Sequence, residues 1–268
     1  MIKACVLRIE GTNCEDETKA AFGSLGVSAE IVNLKQLTGD APVEKARSLS
    51  DYHILMLPGG WSSGDYVRAG AIFAARMKSK VLKRLSDFID DGKAVGGICN
   101  GFQILVEAGM LPAFDGISEF PEAALTDNLN GKFQCRPVYL RCEGECAFTG
   151  KIKKGAVLQI PVAHAEGRLT FGENNDEYLK KLIKNKQIVF RYCREGGEPA
   201  DGKFPHNPNG SLYDIAGISN PKGNVMGMMP HPERVMGGIQ NADWTRNGGI
   251  GNGRILFESV VEYAKKRL

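Results

Sequence analysis

The stretch from Ala94 to Gly109 restricts the architecture of this chain more than any other. An apolar run, Ala94-Val95, leads into Gly96-Gly97-Ile98-Cys99-Asn100-Gly101-Phe102-Gln103, and a helix-like run from Phe102 to Gly109 leads out. Its centre is Gly-x-Cys-x-Gly, the pattern of a sharp strand-to-helix turn with a reactive side chain at the apex. Such a turn brings backbone segments close together and requires unusual φ/ψ values, hence glycine on both sides. It lifts Cys99 out of a sheet and aims a helix N-terminus at its sulfur. That position favours thiolate and offers a backbone N–H to a developing oxyanion. The bland alternative is a buried structural thiol in a glycine-rich loop, since free cysteine is among the most buried residue types.

The elements around this turn set the fold class. Residues 3–9 read as a first strand, 12–26 as a helix with acidic Glu15, Asp16 and Glu17 in its first turn, and 29–34 and 52–57 as further strands, the last including His53 and ending at Pro58-Gly59-Gly60. Residues 68–92 place Val81, Leu82, Leu85, Phe88 and Ile89 at helical spacing. The alternation predicts an α/β fold: a single doubly wound domain over residues 1–268, with a mostly parallel central sheet and helices on both faces. Phe133, Cys135, Val138, Leu140 and Cys142 predict a small extra β region, in hairpin form with Arg136 and Arg141 outward. Strands are expected at 158–163, 188–193 and 225–229, and a last helix at 254–268. Residues 195–211, rich in Gly, Pro and Asn, and 236–253, rich in Gly and Asn, read as long loops, of a length that in a compact domain is usually functional or disordered.

Composition excludes several classes. With 268 residues, 43% hydrophobic composition and a net charge of +3 spread over both signs, the chain reads as a soluble globular protein. There is no basic block of the kind nucleic-acid binding needs, and no apolar run long enough to span a membrane. Seven cysteines, an odd number in no disulfide-like spacing, predict free thiols and a cytoplasmic location. Cys142 and Cys146 lack a second ligand pair at zinc spacing, so no metal is expected. The glycine pairs give no dinucleotide or phosphate-loop fingerprint, so no cofactor is expected in this chain.

Candidate chemistry converges on the carboxyl ends of the strands, where doubly wound sheets place their ligands. His231-Pro232-Glu233 follows a predicted strand, and in extended chain His231 and Glu233 share a face. Glu233 would then orient the imidazole, leaving the other ring nitrogen to accept the Cys99 proton, the logic of a catalytic triad. His164-Ala165-Glu166 has the same spacing, also after an apolar strand, and spacing alone does not separate the two. Its other reading is a substrate contact or a wall of the site. His53 and His206 are read as structural. Gly60, at the same rim as Cys99, and Asn100 would supply two backbone N–H groups to an oxyanion. A cysteine peptidase shares the elbow, but no peptide groove is evident. Serine hydrolases of the elbow type place their acid well before the histidine, whereas here it follows by two residues.

In this order the Gly-Gly loop, the Gly-x-Cys-x-Gly elbow and the late His-Pro-Glu resemble the class I, triad-type glutamine amidotransferases over nearly the whole chain. Gly11-Thr12-Asn13-Cys14, the segments 57–66 and 68–71, Pro161 to Gly167, Asn207-Pro208-Asn209-Gly210-Ser211 and Met229 to Arg234 narrow the likeness to the glutaminase subunits that serve the fourth step of purine biosynthesis. The resemblance implies a triad of Cys99, His231 and Glu233 acting on L-glutamine. Gln103, His164, Glu166 and Asn209 are implied as substrate-binding residues. It also implies a large synthetase subunit that uses ATP and Mg²⁺ to amidate formylglycinamide ribonucleotide, and a small third subunit. The loops at 195–211 and 236–253 are longer than a minimal member of the family needs.

Overall fold

In the parallel half of the sheet the inner strands are short apolar runs buried on both faces, as strands covered by helices on each side must be, and the edge strand is only partly buried. The structure is a computed structural model, and it describes residues 1–246 and 249–267. β1 (Lys3–Arg8), β2 (Ser28–Asn33), β3 (Ile54–Leu57), β4 (Ala94–Ile98) and β11 (Val225–Met228) run parallel in the order β2-β1-β3-β4-β11. Beyond β11 the sheet continues through β10 (Ile215–Ser219), β9 (Ile188–Cys193), β6 (Gln134–Cys142) and β7 (Val157–His164), each antiparallel to its neighbour. Strand direction alternates along this extension, so β9 and β7 point the same way as the parallel five. Seven of the nine strands therefore share one direction. The end of β7, where His164 stands, consequently falls on the same rim as Cys99.

Chain reversal within the sheet fixes where the rim opens. β1 leads through α1 (Glu15–Gly23) to β2 on one side, whereas β3 leads through α3 (Ala71–Asp90) to β4 on the other. Right-handed crossovers then put α1 and α3 on opposite faces. α1 packs with α6 (Arg254–Lys265) through an edge-to-face contact of Phe22 and Phe257, 5.1 Å between centroids. On the other face α3 packs with α4 (Asn100–Glu107). α3 buries Phe73, Met77, Val81, Leu85, Phe88 and Ile89; of the stripe its spacing predicts, Leu82 is only partly buried. The crevice between β1 and β3 is the topological switch point, where open α/β sheets bind ligands.

Several elements differ from the sequence-based expectation. The first helix begins at Glu15 rather than Thr12, because Thr12 bridges to Gly60 and Cys14 takes the N-cap position. His53 precedes β3, where its Nδ1 accepts the Lys3 N–H at 3.1 Å. Phe133 lies outside β6 and is 48% exposed; Cys135 is also exposed. Between β2 and β3 the polar stretch holds a short helix, α2 (Leu34–Thr38), capped by Asn33. α5 (Asn175–Lys184), β10 and a two-stranded sheet of β5 (Ala124–Thr126) and β8 (Arg168–Thr170) were not expected. α5 buries only Leu182 on a highly charged sequence, so its apolar signal is faint. Loop 195–211 is irregular but well anchored, with Asn207, Asn209 and Ser211 all buried. Leu268, expected in the last helix, and residues 247 and 248 of the 236–253 loop lie outside the described residues.

Candidate active site

Cys99 sits at φ 52°, ψ −110°, immediately before the first residue of α4. A non-glycine residue there is held in a sparsely populated conformation, a form of strain that clusters at functional sites. The neighbouring glycines make it feasible. A Cβ on Gly101 would lie 1.8 Å from the Leu57 carbonyl oxygen, so only glycine lets α4 approach β3 this closely. A Cβ on Gly59 would lie 2.7 Å from His231 Cε1 and 3.3 Å from both Cys99 Cβ and Cys14 Sγ. One small loop residue thus keeps three chemically active side chains together. The Cys99 amide is used, donating to Met228 O at 2.8 Å. Among the described residues, the Gly60 and Asn100 amides donate to nothing.

The two His-x-Glu segments differ in their pairing. His231 and Glu233 are both buried, and Nδ1 meets Glu233 Oε1 at 2.5 Å. The His231 amide donates to Pro161 O at 2.8 Å, which fastens the segment after β11 to β7. His231 Nε2 is buried without a partner. Burial alone would lower the proton affinity of this ring. The Glu233 charge and the Cys99 and Cys14 sulfurs outweigh it, and the imidazole is raised well above its ordinary value. His164 does not pair with Glu166. Its Nδ1 meets Asn128 Oδ1 at 3.0 Å, while Glu166 Oε2 accepts the Ala69 N–H at 3.2 Å. Burial, reinforced by the His231 charge, holds His164 down at about 3.

Cys14 is a neighbour of this pair that sequence reasoning assigned no role. Arg234 Nη2 donates to its sulfur at 3.1 Å. Cys14, His231 and Glu233 form the one potential metal-ligating cluster among the described residues. The guanidinium on the cysteine and the short Nδ1–carboxylate bond make it a charge network hostile to a cation. The signal for Cys14 was its position after β1, the strand beside the switch point. Three further thiols are held neutral by burial, which lifts Cys142 to about 12 and Cys146 and Cys193 to about 11; Cys135 is exposed and lines the cleft beside Cys99.

A hydrogen-bond network braces the floor of the site. Asn100 Oδ1 accepts from Ser62 Oγ at 2.6 Å and from the Ser62 amide at 3.2 Å. Its Nδ2 donates to Asp65 Oδ1 at 3.0 Å and Gln103 Oε1 at 2.9 Å. Gln103 Nε2 donates to Glu166 O at 2.5 Å, joining the elbow helix to the loop after β7. A cleft of about 380 Å³ opens here, lined by Gly60, Asp65, Cys99, Gln103, His164, Glu166 and His231 among others. Asn209 stays outside it: fully buried, it donates to Gly167 O at 2.7 Å and holds the 164–167 loop from behind. A larger cleft of about 500 Å³, near β6 and α5, lies away from Cys99, and its Arg141 and Arg191 are already ion-paired.

The chain order Cys, His, then Glu two residues on separates this arrangement from the serine hydrolases, and comparison with known proteins gives the class. Residues 1–264 match the model of the CobB/CobQ-like glutamine amidotransferase domain, and the chain belongs to that family. It is an enzyme of the glutamine amidotransferase class. The particular branch follows from individual relatives. The phosphoribosylformylglycinamidine synthase subunit PurQ of Archaeoglobus fulgidus is 52% identical over 271 residues, covering 99% of this chain and 98% of the relative. The subunit of the same name from Aquifex aeolicus is 50% identical over 236 residues, covering 87% and 91%. Among solved structures, a chain of PurLQS from Thermotoga maritima superposes with a TM-score of 0.72 at 31% identity, covering 98% of both. Within its family the chain therefore falls with the PurQ subunits.

Proposed function

We propose that this chain, as one glutamine amidotransferase domain, hydrolyses L-glutamine and supplies the ammonia to a phosphoribosylformylglycinamidine synthase in purine biosynthesis. The observation that carries the chemistry is the buried His231–Glu233 pair beside a thiol held on a strained elbow. In this mechanism the Cys99 thiolate attacks the side-chain amide carbon of glutamine. The Gly60 and Asn100 N–H groups hold the oxyanion, each worth about 3 kcal/mol by comparison with similar donors. His231, held protonated by Glu233, gives its proton to the leaving amine, and ammonia departs. The imidazole then draws a proton from water, which hydrolyses the glutamyl thioester to glutamate and returns the thiol. Glu233 acts as orienting acid, because its bond to Nδ1 leaves Nε2 toward the cleft.

Gln103, His164 and Glu166 form the wall of the glutamine site, and Asn209 positions that wall. The partner is a synthetase subunit that uses ATP and Mg²⁺, with a small third subunit, all in the cytoplasm. No helix of the described residues is long and apolar enough to cross a membrane. A docking surface at the cleft mouth is supported by exposed apolar groups. Trp61 and Phe133 stack at 6.4 Å, and Tyr66 and Val67 stand 75% and 83% exposed on a loop with positive φ at Asp65 and Val67. In the reconstituted complex, Cys99→Ala should abolish glutamine-dependent synthesis and leave ammonia-dependent synthesis intact. Glutamine hydrolysis surviving in that variant would remove Cys99 as the nucleophile. His231→Ala should cost far more turnover than His164→Ala, and the reverse order would exchange their roles.

A further inference from the structure

We infer that Cys14 and Cys99 form a reversible modification site: a peroxide oxidises Cys99, and Cys14 then closes a disulfide onto it that shelters the nucleophile from further oxidation. The site rests on the reading of Cys99 as the nucleophile above. Cys14 takes no part in the glutaminase steps, yet its sulfur stands beside them. The point where a Cβ on Gly59 would sit is 3.3 Å from Cys14 Sγ and 3.3 Å from Cys99 Cβ. Glycine has no side chain to fill that point, so residue 59 leaves the space beside both cysteines clear. Cys14 Sγ also lies within 4.8 Å of a His231 ring nitrogen and of a Glu233 oxygen. Backbone bonds hold Cys14 in place. Its N–H donates to Gly59 O at 3.1 Å, and its carbonyl accepts from Thr18 Oγ1 at 2.7 Å.

The two thiols divide the roles such a site needs. Cys99 lines the open cleft, where a small oxidant reaches it, whereas Cys14 is 1% exposed and is reached from inside the protein. A peroxide transfers one oxygen to the Cys99 sulfur, which becomes a sulfenic acid, and the remainder leaves as water or an alcohol. The Cys14 sulfur then attacks the sulfenic sulfur. The S–S bond forms, the S–O bond breaks, and the hydroxide departs as water with the thiol proton of Cys14. The Arg234 guanidinium, 3.1 Å from Cys14 Sγ, offsets the negative charge on that sulfur as its proton leaves, and the nearby His231 relays the proton. Cys99 Sγ donates to Ala163 O at 3.7 Å, so closure requires a χ1 rotation that releases this contact. Two exchanges with a dithiol return both cysteines. Without a resolving thiol, more peroxide carries the sulfenic acid to sulfinic acid, which thiols do not reduce. Cys135, exposed near the start of β6, lines the same cleft and is the rival partner for Cys99. The guanidinium donor goes to Cys14.

The test exposes the full chain, in complex with its synthetase, to hydrogen peroxide and follows it in two ways. Peptide mapping by mass spectrometry without reductant should find the Cys14 and Cys99 peptides joined, with the loss of two hydrogens. Ammonia release from glutamine, taken relative to each protein's own activity before oxidation, should fall in the wild type and return when dithiothreitol is added. Cys14→Ser should lose activity in the same way and regain several-fold less, with its Cys99 found as sulfinic acid. Cys135→Ser should follow the wild type. A map without the Cys14–Cys99 peptide, or one that joins Cys99 to Cys135, overturns the proposal. Equal recovery in Cys14→Ser and the wild type overturns it as well. Should Cys14→Ser not fold, the wild-type map decides alone. The map reads the bridge without turnover, so a wild type that releases no ammonia before oxidation removes the glutaminase reading, while the presence or absence of the joined peptide still decides this one.

Discussion

His164 should make this protein acid-labile in a way that a single substitution removes. Asn128 Nδ2 donates to Lys132 O and His164 O, so its Oδ1 is the acceptor, and the imidazole carries its proton on Nδ1. Nε2 is buried without a partner among the described residues, and charging it would place a second N–H where no acceptor waits and add a repulsion with the His231 cation. The sign follows from the direction of the shift. A folded value of about 3 against an ordinary 6.5 means that the unfolded chain binds the proton first as pH falls. Stability from this residue is full above about 6.5 and is lost between there and about 3. At pH 5 the unfolded imidazole is protonated through about 1.5 pH units at about 1.4 kcal/mol each, so about 2 kcal/mol disappears between pH 7 and pH 5. His164→Asn keeps an N–H near the Nδ1 position and has nothing to titrate. Urea unfolding of both proteins at pH 7 and pH 5 should show the wild type losing about 2 kcal/mol more than the variant. Equal losses would refute the argument, because then His164 is not held neutral by its surroundings.

Two further outcomes follow from the same site. Gly101→Ala drives a methyl into the Leu57 carbonyl oxygen, a backbone overlap that no side-chain rotation relieves, and should cost more than about 4 kcal/mol. A variant that melts with the wild type would show that α4 can move off β3. Glu233→Gln leaves a buried imidazole with its largest favourable charge removed, so the proton affinity of His231 should fall and stability at neutral pH should drop by about 3–5 kcal/mol. The first effect is read by an NMR titration of the ring and the second by urea unfolding. An unmoved titration would mean that Glu233 is not what holds the proton on His231.

Much of the fold was legible because its signals are local. A buried parallel strand is a short apolar run, an amphipathic helix repeats its apolar residues every three or four positions, and Gly-x-Cys-x-Gly can hardly be anything but a sharp turn. Those rules recovered β1, β3, β4, α3 and the elbow. They missed α5, whose single buried residue leaves no periodicity to find, and β10, a five-residue run that the Asn220-Pro221-Lys222-Gly223-Asn224 turn should have marked as the partner of β11. Phe133 and Cys135 misled because they are out of phase with Val138, Leu140 and Cys142: β6 buries Gln134, Val138, Leu140 and Cys142, and the alternation leaves Cys135 on the open face.

The sequence by itself determined the turn that presents Cys99, the strand ends that form the rim, and two candidate His-x-Glu pairs. It left those pairs equivalent, since a spacing of two residues is the same in both. Tertiary structure separated them. The chain after β11 lets Glu233 close onto His231, while the chain after β7 turns Glu166 to the Ala69 amide and gives His164 to Asn128. Cys14, Asp65 and the Asn100 network also emerged only there, because they lie up to 220 residues from the groups they touch. Hydrogen bonds and charge interactions act over a few ångströms of space, and only the sheet's strand order decides which distant residues come that close.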